Sequence, residues 1–331
     1  MTRPIPILLD GDPGHDDAMA WMLARSSPLL EIRGVTSVCG NQTIEKTTYN
    51  AQRVMTLLGI DAPLAKGRPR PLAGEPMAAP SVHGASGLDG PVLPEPAVFP
   101  VDLPACALMA KVLEESGEPV TIVPTGPLTN VASLLLTRPD LKGKIAGISM
   151  MGGGVTHGNW TPAAEFNILV DPEAADLVFR SGIPITMAGL DVTEQALVFP
   201  EDFAAIRALG NPVAAVVADW LEFFYGFHRE LGYAGAPVHD AVAVAALIAP
   251  ELFHMEEMYV AVETQGTYCR GATIGDRYHL SGRAPNARVI LGLDRAGFVG
   301  LLTEAAASYG RGGKEHGLTE TAGDPGLRSR H

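Results

Sequence analysis

The chain has 331 residues, of which 47% are hydrophobic and 18% charged, and its formal net charge is −13. This is enough apolar material for a sizeable core, with no global sign of disorder. The negative charge argues against a nucleic-acid polymer or an anionic membrane surface as partner, because both reward clustered Lys and Arg.

Short apolar runs predict strands over 5–10, 32–38, 120–125, 145–151, 183–189, 258–263 and 287–293. Most are apolar throughout rather than alternating, as in strands covered on both faces. Helices are predicted between them, over 43–58, 103–116, 127–137, 172–181, 212–231, 240–249 and 294–308. In the first of these, Ile44, Thr48, Ala51, Met55 and Leu58 share one face, and Gly59 supplies a stop. Such alternation predicts an α/β fold: a mostly parallel, Rossmann-like open sheet flanked by helices. Ligands of such sheets bind beyond the carboxyl ends of the strands. Residues 67–100, rich in Pro and Gly, read as one long loop of the kind that is often functional. The polar tail 311–331 reads as disordered, leaving 1–310 as a single domain.

The chemistry concentrates at predicted strand ends. DGDPGHDD (10–17) follows the first strand. Asp10 and Asp12 are two apart and face the same way in extended chain. Asp16 and Asp17 fall at a helix start, where the macrodipole favours negative charge. One Asp would suffice as an N-cap. Four repel one another unless a cation or raised pKa values relieve them. Oxygen-only donors suit Ca2+ or Mg2+ better than zinc. An EF-hand does not fit, because Gly14 and Trp21 stand where ligands belong. Other strand ends bring Asn41, Thr125, the trio Asn159, Glu165 and Asn167, and the pair His239 and Asp240. Taken singly, Asn41 and Asp240 read as caps, Thr125 as structural and His239 as a loop histidine. Together they suit a polyhydroxylated ligand and a hard cation. Cys39, Cys106 and Cys269 are odd in number and widely spaced, which points to a reducing cytoplasm. The N-terminal apolar run is too short for a secretory signal, and no run approaches the roughly 20 residues of a membrane helix.

DGDPGHDDAMA, VTSVCGNQTIEKTTYNA, IVPTGPLTNVA, MMGGGVTHGNWTPAAEFNILVDPEAA and PVHDAVAVAALIAP, in this order, resemble the motif blocks of nucleoside hydrolases of the inosine-uridine preferring type. The likeness spans about residues 5–308. It implies hydrolysis of the N-glycosidic bond of ribonucleosides to base and ribose. It implies one Ca2+ on Asp12, Asp17, the Thr125 carbonyl and Asp240, with Asp12 as the base that deprotonates a Ca2+-bound water. Asp16, Asn41, Asn159, Glu165, Asn167 and Asp240 would hold ribose hydroxyls, and Asp10 would brace the corner. His239 would serve the leaving base, and His83, in SVHGASGLDG, would be a mobile-loop histidine closing over the site. The aromatic segment 220–233 would offer Tyr225, His228 or Tyr233 to the base, or else be a core helix. The transition state would be oxocarbenium-like. A homodimer or homotetramer is implied by the resemblance alone. Two other readings compete: a non-catalytic nucleoside or ribose binder on the same fold, and a DxD-type metal-dependent phosphatase with Asp10 as nucleophile.

Overall fold

The computed structural model describes residues 3–311. Its strands are β1 (Ile5–Gly11), β2 (Leu30–Ser37), β3 (Leu64–Ala65), β4 (Val120–Pro124), β5 (Ile145–Met151), β6 (Ile185–Ala188), β7 (Leu197–Val198), β8 (Ala236–Pro237), β9 (Phe253–Val262), β10 (Thr273–Asp276) and β11 (Ala287–Leu293). Nine of them form one sheet in the order β3-β2-β1-β4-β5-β6-β11-β9-β10, while β7 and β8 pair separately. Neighbours from β3 through β11 run parallel, and β9 and β10 complete the edge antiparallel. The first six strands follow the doubly wound order, with the chain reversing direction between β1 and β4. Ligands bind in the crevice at such a reversal, beyond the carboxyl ends.

The pleat of β1 shows how the sheet is buried. Ile7 and Leu9 pack into a core with the helices His15–Ser26, Ile44–Leu58 and Pro212–Glu230. Leu8, pointing the other way, packs into a second core with Ala105–Glu115, Thr129–Thr137 and Pro172–Phe179. All three side chains are fully buried. A strand covered on both faces needs no polar alternation, hence its uniform apolar sequence.

The helix Ile44–Leu58 buries the predicted stripe and ends where expected. Gly59 adopts φ 61°, and its N–H reaches back to the carbonyls of Met55 and Thr56. That left-handed cap is cheap only for glycine. Two expectations need amending, and a third is untested. The strand at 258–263 begins at Phe253, because its first half is only partly buried and polar His254, Glu256 and Glu257 interrupt the apolar run. The 67–100 loop contains β3's neighbour Pro100 in a bridge and a short helix, Pro80–His83. The tail assigned to 311–331 lies outside the described residues except for Arg311, whose backbone ends the last helix, Arg295–Arg311. No helix among the described residues is long and apolar enough to cross a membrane.

Candidate active site

Gly11 ends β1, and the chain turns through Asp12 and Pro13 into the helix His15–Ser26. Asp17 accepts from the Gly14 N–H at 2.9 Å, half of a capping box. Its other oxygen accepts from Thr125 Oγ1 at 2.6 Å, just past β4. The Thr125 N–H donates to the Asp10 carbonyl at 2.8 Å, which fixes this residue against β1. Two strand ends flanking the chain reversal are thus tied together by the first motif.

Asp12 is fully buried. One oxygen accepts the Asn41 N–H at 2.6 Å, and the other, Oδ1, has no donor. A Cβ on Gly126 would stand 2.5 Å from that oxygen, so glycine is what leaves the carboxylate room. Asp16 Oδ1 is likewise buried without a donor. Asp16, Asp17 and Asp240 each present an oxygen within 4.8 Å of the others. The expected ligand set had Asp12 in that company and gave Asp16 to ribose. Here Asp16 completes the tight carboxylate trio, with Asp12 beside it against Asn41. Asp16 and Asp240 line the cavity, as do Asn41 and Thr125, and Asp12 and Asp17 lie just behind.

Burial pushes Asp16 up to about 8 and Asp17 to about 6, with Asp17 repelling Asp16 in addition. Asp12 and Asp240 are also raised well above the carboxylate range by burial and by their acidic neighbours. Such a cluster is frustrated as it stands. Donorless oxygens and mutual repulsion are both relieved by a hard cation, so these residues fit one.

Asp10 is placed differently. Its Oδ1 accepts from Thr36 at 2.6 Å and Asn130 at 2.8 Å, behind the cluster and away from the cavity lining. Burial raises it to about 7. These bonds tie it to β2 and to the helix Thr129–Thr137, while its Oδ2, like one oxygen each of Asp12 and Asp16, is buried without a donor. The phosphatase reading needs it as nucleophile, which its place away from the cavity lining does not favour.

Asn159, Glu165 and Asn167 come together on the cavity wall. Glu165 caps the helix Phe166–Val170, accepting from Asn167 and Ile168, and it also takes the Gly153 N–H at 2.8 Å. Its pKa is raised by burial. Asn159 accepts from the Phe166 N–H at 3.0 Å. Asn167 Nδ2 donates to the Thr125 carbonyl at 3.0 Å, the same oxygen expected to ligate metal. A carbonyl has two lone pairs, so both roles are compatible.

Another part of the lining is rich in aromatic rings and histidines. His83, 5% exposed, stacks against Phe224 at 5.4 Å between ring centroids, and His228 packs edge-on to Phe224 at 4.3 Å. His239 Nδ1 lies 2.8 Å from Thr193 Oγ1. Burial pushes His239 down to about 3 and lowers His83 and His228 as well. The helix Pro212–Glu230 turns Phe224, Phe227 and His228 to the cavity. Tyr225, expected as a base-pocket candidate, points elsewhere and packs edge-on to Phe203 at 5.9 Å. Tyr233 does line the cavity, donating to Glu194 at 2.7 Å. Glu194, Trp160 and Phe227 were not singled out by the sequence. Glu194 and Trp160 have no spacing to mark them, and Phe227 is lost among the aromatics of 220–233. The segment carrying His83, expected to be mobile, is tied down at several points: Gln42 and Lys46 donate to the Ala85 carbonyl, and Asn50 bridges the carbonyls of Pro13 and Ser86.

A family model described as inosine-uridine preferring nucleoside hydrolase matches residues 7–300. The pyrimidine-specific ribonucleoside hydrolases RihA of Escherichia coli O139:H28 and of Shigella flexneri serotype 5b are each 55% identical over 308 residues, covering 92% of this chain and 99% of theirs. Among solved structures, a purine-preferring ribonucleoside hydrolase from Gardnerella vaginalis superposes with a TM-score of 0.86 at 31% identity, covering 92% of this chain and 98% of that one. A plant nucleoside hydrolase gives 0.85 at 30%, covering 92% and 99%. The doubly wound sheet, the acid cluster at its reversal point and this likeness over nearly the whole chain agree: the chain belongs to the inosine-uridine preferring nucleoside hydrolase family and is a ribonucleoside-hydrolysing enzyme.

Proposed function

We propose that this enzyme cleaves pyrimidine ribonucleosides with the help of Ca2+, working over residues 1–310 as a single unit. The observation that carries this reading is the pair of buried, donorless carboxylate oxygens on Asp12 and Asp16, at a cavity that Asp16 lines together with His83, Phe224, Phe227 and His239. The pyrimidine preference rests on the 55% relatives, which are nearer than the purine-preferring structure at 31%.

Asp12, Asp17, Asp240 and the Thr125 carbonyl would hold the cation, with Asp16 close enough to share either the cation or a ribose hydroxyl. Bound there, Ca2+ supplies a lowered pKa for water and a grip on the ribose diol. The protein does the rest. As the C1′–N bond breaks, its electron pair leaves with the base and positive charge develops on the ribose ring. The surrounding carboxylates stabilise that charge in a site that excludes bulk water. Asp12 Oδ1, free of any donor, takes the proton of the attacking water as its oxygen bonds to C1′. Asn159, Glu165 and Asn167 form the wall that would orient the sugar. His239 enters neutral. If the Thr193 hydroxyl donates to Nδ1, the imidazole hydrogen stands on Nε2, where it would stabilise the leaving base by a hydrogen bond without being transferred, the base then taking its proton from water.

Base release from uridine, cytidine, inosine and 2′-deoxyuridine, with and without a chelator, tests the reading. Uridine and cytidine are expected to react fastest, and 2′-deoxyuridine at least about a hundredfold slower. Chelation should abolish activity and added Ca2+ restore it. Full activity after exhaustive chelation, or equal release from the 2′-deoxy substrate, would sink the reading. Three free cysteines support a cytoplasmic setting, and a homodimer or homotetramer is expected by sedimentation.

A further inference from the structure

His15, inside the first motif, has no part in the reading above. Its ring is wholly buried, stacked on Phe223 at 5.1 Å and on Phe224 at 5.5 Å between centroids. Its Nε2 lies 2.8 Å from the Asp89 carbonyl oxygen, and its Nδ1 lies 3.1 Å from His83 Nδ1. These contacts decide where the protons stand. A carbonyl oxygen only accepts, so His15 Nε2 carries a hydrogen. An imidazole enclosed by phenyl rings, with no carboxylate bonded to it, stays neutral. Its Nδ1 is therefore a bare lone pair. Two nitrogens 3.1 Å apart share one proton, and His83 must supply it. The His15 backbone N–H also faces His83 Nδ1, but at 3.5 Å, the outer limit of a hydrogen bond. His83 is itself buried on the cavity wall, and among the described residues no protein group bonds its Nε2.

We propose that His15 is a positioning residue: its contact with His83 fixes the tautomer that carries hydrogen on Nδ1 and presents a bare Nε2 to the cavity as a hydrogen-bond acceptor for the ribonucleoside. The loop cooperates. Asp89, whose carbonyl holds His15, also accepts from the N–H groups of Ala85 and Ser86, and Gly84 turns beside it at φ 81°, where a Cβ would collide with the Asp89 carboxylate. The inference rests on the proposed function only in that the ligand is a ribonucleoside. Two of its donors are candidates: the N3–H of a uracil base and the 5′-hydroxyl of ribose.

Three measurements test it. Long-range 1H–15N spectra of the wild type, with His83 assigned by its loss in His83→Gln, should show hydrogen on Nδ1 and none on Nε2. His15→Phe keeps the aromatic stack but removes the acceptor, and should raise KM for uridine about tenfold with kcat within threefold. His15→Asn, whose amide oxygen can stand near the lost Nδ1, should recover most of that loss. In a His83→Phe background, His15→Phe should add nothing. The penalty should vanish on 3-methyluridine if the base donates, or on 5′-deoxyuridine if the hydroxyl does. Hydrogen on His83 Nε2, additive effects of the two substitutions, or a penalty that persists on both analogues overturns the proposal. If the wild type releases no base from any ribonucleoside, the functional reading fails, while the tautomer measurement still decides the role of His15. If His15→Phe does not fold by circular dichroism, the wild-type spectra and His15→Asn decide it.

Discussion

The floor of the cavity and its aromatic wall are both buried, yet burial has acted on them in opposite senses. On the floor it raises Asp12, Asp16, Asp17 and Asp240 towards their uncharged forms, and on the wall it lowers His83, His228 and His239 towards theirs. One physical cause, the cost of charge in a dry site, shifts these acids and histidines alike towards their uncharged forms. They differ in what can restore the charge. A bound cation would turn the floor back into carboxylates, whereas nothing positive is needed on the wall. The floor is built to be completed, and the wall is complete.

That contrast can be broken most directly at Asp12. Asp12→Asn should lower kcat/KM for uridine by about 10³ or more, the scale of losing the base and a metal ligand together. In chelator the same variant should melt no lower than wild type, because it removes one of the repelling acids. A loss of both activity and metal-free stability would show that Asp12 is chiefly structural. His239→Gln sharpens the other side: a fall of about 10- to 100-fold in kcat, with the thermal response to Ca2+ unchanged. If the response to Ca2+ vanished too, the two regions would not be independent. The cation itself gives a smaller signal. At about a hundred times its dissociation constant, Ca2+ should stabilise wild type by about 2.7 kcal/mol, several degrees in a melting scan, and Asp17→Asn should abolish the shift.

The pH dependence follows from the same contrast. Asp16 at about 8 and Asp17 at about 6 are raised from 3.8, so their contribution to stability is full below that value and is lost as pH climbs through 6 to 8. His15 at about 4 and His239 at about 3 are lowered from 6.5, so theirs is present above 6.5 and is lost as pH falls towards 4 and 3. Between pH 6.5 and 8 only the acids act. Metal-free protein should therefore lose stability with rising pH there, by at most about 1.4 kcal/mol per pH unit for each proton involved. Saturating Ca2+ should flatten the slope, and a slope unaffected by Ca2+ would separate the acids from the metal. Smallest of all, Tyr225→Leu should leave kcat and KM within twofold, since that ring faces Phe203. Tyr233→Phe, which loses its bond to Glu194 at the cavity, should not be so silent.

Much of this was legible in the chain. Four aspartates packed into DGDPGHDD cannot be ordinary surface residues, and their strand-to-helix position follows from the apolar run before them. The parallel strands were readable because two-sided burial leaves an uninterrupted apolar signature. β3 and β10 were not, because β3 has only two residues and β10, TIGD, lacks an apolar run. Face was the harder question. In the run from Trp220 to Tyr233 the aromatics crowd so closely that spacing could not separate Tyr225, turned to Phe203, from Phe224 and His228, turned to the cavity. Glu194 and Trp160 owe their places to pairing and loop path, which no local pattern encodes.

The tie between Asp17 and Thr125, and the trio that Asp240 completes, also set an order of events during synthesis. Asp12, Asp16 and Asp17 leave the ribosome early, with the first strand. Thr125 follows only after β4, and Asp240 only when the helix Ala241–Ile248 is due. A nascent chain can thus lay down β1, β2 and β4 while its acidic corner still lacks a partner across the reversal. If these residues hold the ion together, ion capture would lock a nearly finished fold and so mark the end of folding rather than its start.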